Sequence, residues 1–327
     1  MRAIVCERFG PPSSLAFREV DDPAAGRGEL VVEVKAAGVN FPDLLSIQNL
    51  YQFKPPLPFS PGGEVAGVVA AAGEGAAGFA VGDRVMALVG FGGFAERVAA
   101  TPAQCTRLPD EMPFEIAAGM LYTYGTSYHA LVHRAALRPG ETVLVLGAAG
   151  GVGLAALQIA KKLGARVVAA ASSDEKLALC RREGADEAVN YARGDLRALL
   201  RPLGGVDVVY DPVGGDLSEP ALRALRPGGR LLVIGFARGE IPKMPLNLPL
   251  LKECSIVGVQ WGAWAQREPE AQRAMIGELL RWWQSGDLRP HVHRTYPLER
   301  AAEALDDLAA RRVQGKAILV PGAPGGG

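Results

Sequence analysis

The residues with the most definite chemistry lie in one segment, Val143-Leu144-Val145-Leu146-Gly147-Ala148-Ala149-Gly150-Gly151-Val152-Gly153. A short apolar, β-branched run ends in small residues, and helical spacing follows. This is the setting in which a G-x-G-x-x-G turn binds a dinucleotide. In that frame Ala148, Gly150 and Gly153 take the three glycine places. Gly150 lets the backbone approach a pyrophosphate, and Gly153 lets the helix pack close to the strand. The N–H groups of Gly151 and Val152 open the helix, where the dipole and the unsatisfied donors favour phosphate. A glycine-rich turn without a ligand is the alternative, and the long strand–helix alternation around it weighs against that.

The second strand discriminates between cofactors. An NAD-type site needs an acidic residue at its end, about 20 residues beyond the glycines, to bind the ribose hydroxyls. Here the run Arg166–Ala171 ends on Ala171 and continues Ser172-Ser173-Asp174-Glu175-Lys176. Two hydroxyls and a cation suit a 2′-phosphate, and a hydrogen bond to a charged group contributes roughly 1.5–3 kcal/mol. Ser172, Ser173 and Lys176 are therefore expected to select NADPH over NADH. The competing readings are a register in which Asp174 takes the acidic place, and a Lys176 that is merely a solvated helix charge.

Metal chemistry finds little support. The four cysteines, Cys6, Cys105, Cys180 and Cys254, are far apart and form no Cys-x-x-Cys pair. His129 and His133 stand four apart on an expected helix without a third ligand, and His291 and His293 alternate on a strand. Zinc requires a tetrahedral set of thiolate, imidazole or carboxylate ligands, so no metal is expected.

These residues need elements to position them. Residues 1–120 read as mostly β, with strands at Leu30–Ala36 and Val65–Ala71 and a proline-rich loop at Gln52–Gly63. From Glu141 the texture alternates. Strands are expected at Thr142–Leu146, Arg166–Ala171, Glu187–Asn190, Val206–Tyr210 and Arg230–Ile234, with an apolar segment at Ser255–Val259. Helices are expected at Gly150–Leu163, Asp174–Glu183, near Asp195–Arg201 and near Gly215–Leu225. Such alternation argues for a parallel sheet covered on both faces. Amphipathic helices at Glu268–Gln284 and Leu298–Arg312, then a strand at Lys316–Val320, are expected to return to the first domain. The tail Pro321–Gly327 has the composition of a disordered end.

Composition sets the outer bounds. The 327 residues suffice for two domains, and 49% apolar content allows a sizeable core. Lys plus Arg equals Asp plus Glu at 35 each, so no global field draws the chain onto nucleic acid or an anionic membrane. The N-terminal MRAIVCERFG lacks the apolar centre of a signal peptide, and no run of about 18 apolar residues suggests a membrane span. Scattered thiols fit a reducing cytoplasm.

The segment Val143–Lys161 resembles the zinc-independent quinone oxidoreductases of the medium-chain dehydrogenase/reductase superfamily. The likeness runs nearly end to end. It includes Ala36-Ala37-Gly38-Val39-Asn40 with Asp43, Pro61-Gly62-Gly63-Glu64, Val81-Gly82-Asp83-Arg84-Val85, Asp211-Pro212-Val213-Gly214-Gly215 and Gly315-Lys316. The resemblance implies an α/β fold in which a Rossmann doubly wound parallel sheet is inserted in a GroES-like, mainly-β catalytic domain. The expected boundaries are 1–122 plus 264–327 for the catalytic domain and 123–263 for the NADPH-binding domain. It further implies an active-site cleft between the domains and a homodimer formed through the Rossmann sheets. Alcohol dehydrogenase relatives carry a zinc-ligating Cys where Asn40 stands and a His where Gly63 stands. The four-cysteine structural zinc lobe is also absent.

Without a Lewis acid, alcohol oxidation is difficult, whereas a quinone or enone accepts hydride at carbon and spreads charge onto oxygen. The protein then has to position the acceptor and donate a hydrogen bond to its oxygen. The resemblance points to Asn40 and Tyr51 as donors, with a turn-stabilising amide and a loop anchor as the plainer readings. It also implies cofactor contacts at Thr126, Tyr191, Phe236 and Lys316. Trp261 and Trp264 would wall the cleft or the dimer edge, while Trp282 and Trp283 would serve helix packing. The leading expectation is NADPH-dependent quinone reduction. The alternatives are reduction of an enone or enoyl-thioester, and a low-turnover NADPH-binding structural or RNA-binding protein.

Overall fold

The computed structural model describes residues 1–322; the expectation for the tail falls, from position 323 on, outside the described residues. The first strands are β1 (Arg2–Val5), β2 (Ala16–Glu19) and β3 (Leu30–Val39), followed by helix α1 (Phe41–Ile47). Strands β4 (Glu64–Ala72), β5 (Arg84–Leu88), β6 (Arg97–Ala100) and β7 (Cys105–Arg107) lead to helices α2 (Phe114–Ala117) and α3 (Leu121–Tyr128). Alternation then sets in: β8 (Thr142–Leu146), α4 (Gly151–Lys162), β9 (Arg166–Ala171), α5 (Asp174–Arg182), β10 (Glu187–Asn190), α6 (Leu196–Leu200), β11 (Val206–Asp211). The series continues with α7 (Ser218–Arg223), β12 (Leu225–Val233), α8 (Asn247–Lys252), β13 (Ser255–Gly258), α9 (Trp261–Arg267) and α10 (Pro269–Gln284). The chain closes with β14 (Val292–Pro297), α11 (Ala301–Ala309) and β15 (Lys316–Val320).

Two compact units result, one of residues 1–122 with the C-terminal segment from His291, the other Thr123–Pro290. In the second unit the six strands run parallel in the order β10-β9-β8-β11-β12-β13. Numbered within the unit this is 3-2-1-4-5-6, the doubly wound Rossmann order. Every residue of β8 is buried, which is why it reads as a continuous apolar run rather than an alternating one. The helix at 269–284, expected with the first domain, packs instead within the second unit. Its Glu278 accepts from Tyr128 Oη at 2.5 Å, its Trp282 ring lies 5.5 Å from that of Tyr128, and Gln272 accepts from Trp261 Nε1 at 2.9 Å. The second boundary therefore falls after Pro290, not after position 263.

The first unit is mainly β. Its larger sheet runs β14-β15-β3-β4-β5-β7, with β6 also paired to β3. Leu30, Val34, Ile47, Val65, Phe94 and Leu319 are among the residues of its core. Antiparallel pairing sets Ile318 opposite Gly38 and Ala317 opposite Val39. That register brings the start of β15 to the end of β3, where the first candidate site lies.

Candidate functional site

The chain leaves β3 at Asn40 and turns at once into α1. Asp43, in the first turn, accepts from the Asn40 backbone N–H at 2.8 Å, the reach-back that stabilises a helix start. Its other oxygen accepts from Gly62 N–H at 3.2 Å, tying the proline-rich loop to the same point.

Around Asn40 the side chains form a closed, buried network. Asn40 Nδ2 donates to Gly38 O at 3.1 Å and to Glu64 Oε2 at 2.9 Å, and its Oδ1 accepts from Lys316 Nζ at 2.6 Å. Lys316 Nζ also donates to Val39 O at 3.1 Å and Glu64 Oε2 at 3.2 Å. Glu64 is 0% exposed and Lys316 5% exposed, so the ion pair is fully interior. Asn40 has both amide protons engaged inside the unit. Lys316 has three acceptors for its three protons, Val39 O, Asn40 Oδ1 and Glu64 Oε2.

Two phenols flank this network. Tyr51 is half-buried in the loop after α1. Burial, and then the charge of Asp43, push its hydroxyl above the ordinary range. Tyr122 donates its backbone N–H to Glu64 Oε1 at 3.1 Å. Its phenol is also pushed up, by burial first and then by Asp43, Tyr51 and Glu64. Both therefore remain protonated donors at neutral pH. Burial pushes Asp43 itself up to about 7, against the pull of the Asn40 N–H, Lys316 and the Gly62 N–H. Tyr122 was not singled out by sequence reasoning; a hydroxyl just ahead of Tyr124-Gly125-Thr126 carries no motif.

In the second unit the glycine turn has the shape a dinucleotide requires. Gly147 has φ +58°. A Cβ on Gly153 would lie 2.4 Å from Gly147 O and 2.8 Å from Ala148 C, so only glycine lets α4 approach β8 this closely. Gly150, at the N-cap, has no side-chain cap, and the first helical bond runs from Leu154 N–H to Gly150 O at 2.9 Å. Gly150, Gly151 and Val152 are partly exposed, while Gly153 is buried. A bond of 3.0 Å from Ser127 Oγ to Val152 O, with Tyr210 Oη 2.9 Å from Ser127 Oγ, fixes the start of α4. A phosphate could be met by the N–H groups at this end.

At the end of β9 the expected residues come together. Ala171 is buried, and no acid occupies its place. Ser173 caps α5 by accepting from Lys176 N–H at 3.3 Å, and Lys176 Nζ lies 3.4 Å from Ser172 Oγ. Asp174, the competing acid, is turned to Asn190 Nδ2 at 2.9 Å and to the guanidinium of Arg193. Arg193, two residues beyond Tyr191, was missed; an arginine in a turn gives no sequence signal. Tyr191 is half-buried in the turn after β10, next to Asn190. Thr126 lies on α3 beside Gly125, where a Cβ would come within 2.7 Å of the Trp261 ring. Phe236 follows β12 and packs against Gly214, where a Cβ would lie 2.9 Å from its ring.

The remaining aromatics form a separate cluster in this unit. Trp264 stacks on His129 with centroids 4.6 Å apart, and His129 Nδ1 lies 3.1 Å from His133 Nδ1. Burial first, then His133, bring His129 down to about 4, so the pair is neutral near pH 7. Trp261 is buried rather than a wall of an open site. Among the described residues no group of three or more His, Cys, Asp or Glu could hold a metal ion.

Comparison with known proteins accords with this architecture. Residues 26–110 match the alcohol dehydrogenase GroES-like domain and residues 151–277 the zinc-binding dehydrogenase family. Quinone oxidoreductase-like protein 2 of Bos taurus is 39% identical over 322 residues, covering 97% of this chain and 92% of that protein. Mycobacterial Rv1454c complexed with NADPH superimposes with a TM-score of 0.92 at 32% identity, covering 98% of this chain and 100% of that one. Escherichia coli quinone oxidoreductase complexed with NADPH gives 0.91 at 30% identity, again covering 98% and 100%. The chain belongs to the medium-chain dehydrogenase/reductase superfamily, and within it to the quinone oxidoreductase family. It is accordingly an oxidoreductase with a Rossmann unit and a GroES-like unit.

Proposed function

We propose that the protein is an NADPH-dependent reductase that delivers hydride to a quinone without a metal ion. The carrying observation is the end of β9, where Ala171 replaces an acid, Asp174 is drawn off by Asn190 and Arg193, and Lys176 stands beside Ser172. That arrangement suits a 2′-phosphate and gives an NADH ribose no carboxylate. The NADPH complexes of two relatives support the same cofactor. Bound NADPH supplies a hydride, and one proton from solvent completes the hydroquinone.

The chain's own residues do the rest. Gly150, Gly151 and Val152 take the pyrophosphate, with Ser172, Ser173, Lys176 and Tyr191 at the adenosine end and Thr126 and Phe236 toward the nicotinamide. In the first unit Tyr51 donates to the acceptor oxygen as charge accumulates there. Asn40 holds Lys316 and Glu64, whose pairing keeps the surrounding site neutral. The donor set does not suit zinc: Asn40 and Gly63 stand where the resemblance places ligands, and neither supplies thiolate, imidazole or carboxylate. No helix among the described residues is long and apolar enough to cross a membrane. We place the protein in the cytoplasm as a homodimer, a reading supported by its free cysteines and by exposed leucines beside an edge strand.

The test is NADPH oxidation with phenanthrenequinone, naphthoquinone, an enone and crotonyl-CoA, alongside dissociation constants for NADPH and NADH and elemental analysis for zinc. Turnover of the quinones, tighter NADPH binding and no stoichiometric zinc are expected. Turnover of the enone or thioester alone would move the substrate to activated C=C bonds. Cofactor binding without turnover would leave a dinucleotide-binding protein of another role.

A further inference from the structure

Gly63 is buried immediately before β4, and its missing side chain is informative. A Cβ built there would lie 2.6 Å from Tyr122 Oη and 3.1 Å from Tyr122 Cε2. The phenol of Tyr122 thus occupies the volume into which any side chain at position 63 would project. The tyrosine is held there from behind, because its backbone N–H is bonded to Glu64 Oε1. Glu64 is in turn fixed by Asn40 and Lys316. A hydroxyl has been seated, through a rigid interior network, where the zinc-dependent relatives would carry a metal ligand.

We propose that Tyr122 is an acceptor-binding residue, its hydroxyl donating to the carbonyl oxygen of the conjugated acceptor alongside Tyr51. The assignment rests on the reductase reading above. A preorganised donor is most effective where negative charge develops on oxygen and where its own position costs no rearrangement. Tyr122 meets both conditions. Its ring packs over Gly63, its backbone is tethered, and the nearby carboxyls and burial disfavour loss of its proton. It would supply by hydrogen bonding part of the polarisation that a metal supplies elsewhere in the superfamily.

Tyr122→Phe removes the hydroxyl and keeps the ring that fills the space over Gly63, so the fold should be retained. The variant is expected to lose about 10- to 100-fold in kcat/KM for naphthoquinone, with the NADPH dissociation constant and the thermal midpoint unchanged. A binding measurement separates the donor role from turnover. Naphthoquinone titrated into the NADP⁺-loaded protein, followed by tryptophan fluorescence, should bind more weakly to the variant than to the wild type. Wild-type turnover and naphthoquinone affinity in Tyr122→Phe would overturn the assignment while leaving the reductase reading intact. A wild-type protein that neither reduces nor binds any member of the acceptor panel would remove that reading, and this assignment with it.

Discussion

Asp43 shows how burial and charge compete at a single residue. Water is excluded from its carboxyl, and removing solvation favours the neutral acid. Two backbone N–H groups and the Lys316 ammonium favour the carboxylate, and the outcome is a group pushed up to about 7 from 3.8. The folded chain therefore binds this proton more tightly than the unfolded chain. Stability contributed by the protonated form is fully present below the unfolded pKa and is lost as pH rises through about 7. At roughly 1.4 kcal/mol per pKa unit the loss is on the order of 4 kcal/mol. Asp43→Asn keeps one acceptor and cannot ionise. Urea denaturation between about pH 4.5 and pH 8 should show the variant gaining on the wild type by several kcal/mol as pH rises. Parallel stability–pH curves would show that Asp43 is not the group responsible. The Asn40, Lys316 and Glu64 network carries a related lesson. Gly315-Lys316 forms a motif, but the partners of Lys316 within the chain lie 252 to 277 residues away in sequence. Only the pairing of β15 with β3 brings them together. Tyr122 was hidden for the same reason, since its place is defined by a side chain that Gly63 lacks.

At the scale of elements the second unit was far more legible than the first. Its central strands β8, β9 and β11 are almost wholly buried runs, and a helix stands between each strand and the next, so local pattern and tertiary position agree. The expected strands at 142–146 and 166–171 coincide with β8 and β9. In the first unit the pairing that builds the Asn40 site joins β15 to β3 across most of the chain, and composition alone gives neither that pairing nor its register. Helix α10 misled for a different reason: its amphipathic pattern shows that a face is buried but not against which unit. The junction of β9 and α5 is where element geometry controls chemistry. The strand ends on Ala171 and Ser173 caps the helix, which turns Lys176 back toward Ser172. Lys176→Ala should therefore weaken NADPH binding by about tenfold or more while leaving NADH binding unchanged, given the strength of a charged hydrogen bond. Calorimetric titration of both cofactors reads this directly, and an unaltered ratio of the two constants would remove Lys176 from the phosphate site.

At the scale of the whole molecule, the surface beside β13 bears on the homodimer proposed above. β13 is an edge strand of the six-stranded sheet, with backbone donors and acceptors facing outward. Beside it in the chain stand Leu246, Leu250 and Leu251, 79%, 76% and 75% exposed, together with Ile241 and Ile256. Exposed edges are usually blunted by charge, proline or a covering element, and clustered exposed leucines mark an association surface. The homodimer proposed above would satisfy both needs: two-fold pairing would set β13 beside its own equivalent and bury the leucines of α8 against each other. The leucines also lie apart in sequence from the glycine turn and from the end of β9, so association and cofactor binding can be separated by mutation. Leu250→Glu combined with Leu251→Glu would place four carboxylates in that proposed twofold contact and should convert the proposed dimer to a monomer. Sedimentation velocity over a range of concentrations measures this, and NADPH affinity should be retained in the monomer. A wild-type protein that sediments as a monomer at tens of micromolar, or a double variant that still dimerises, would place the association surface elsewhere or remove it.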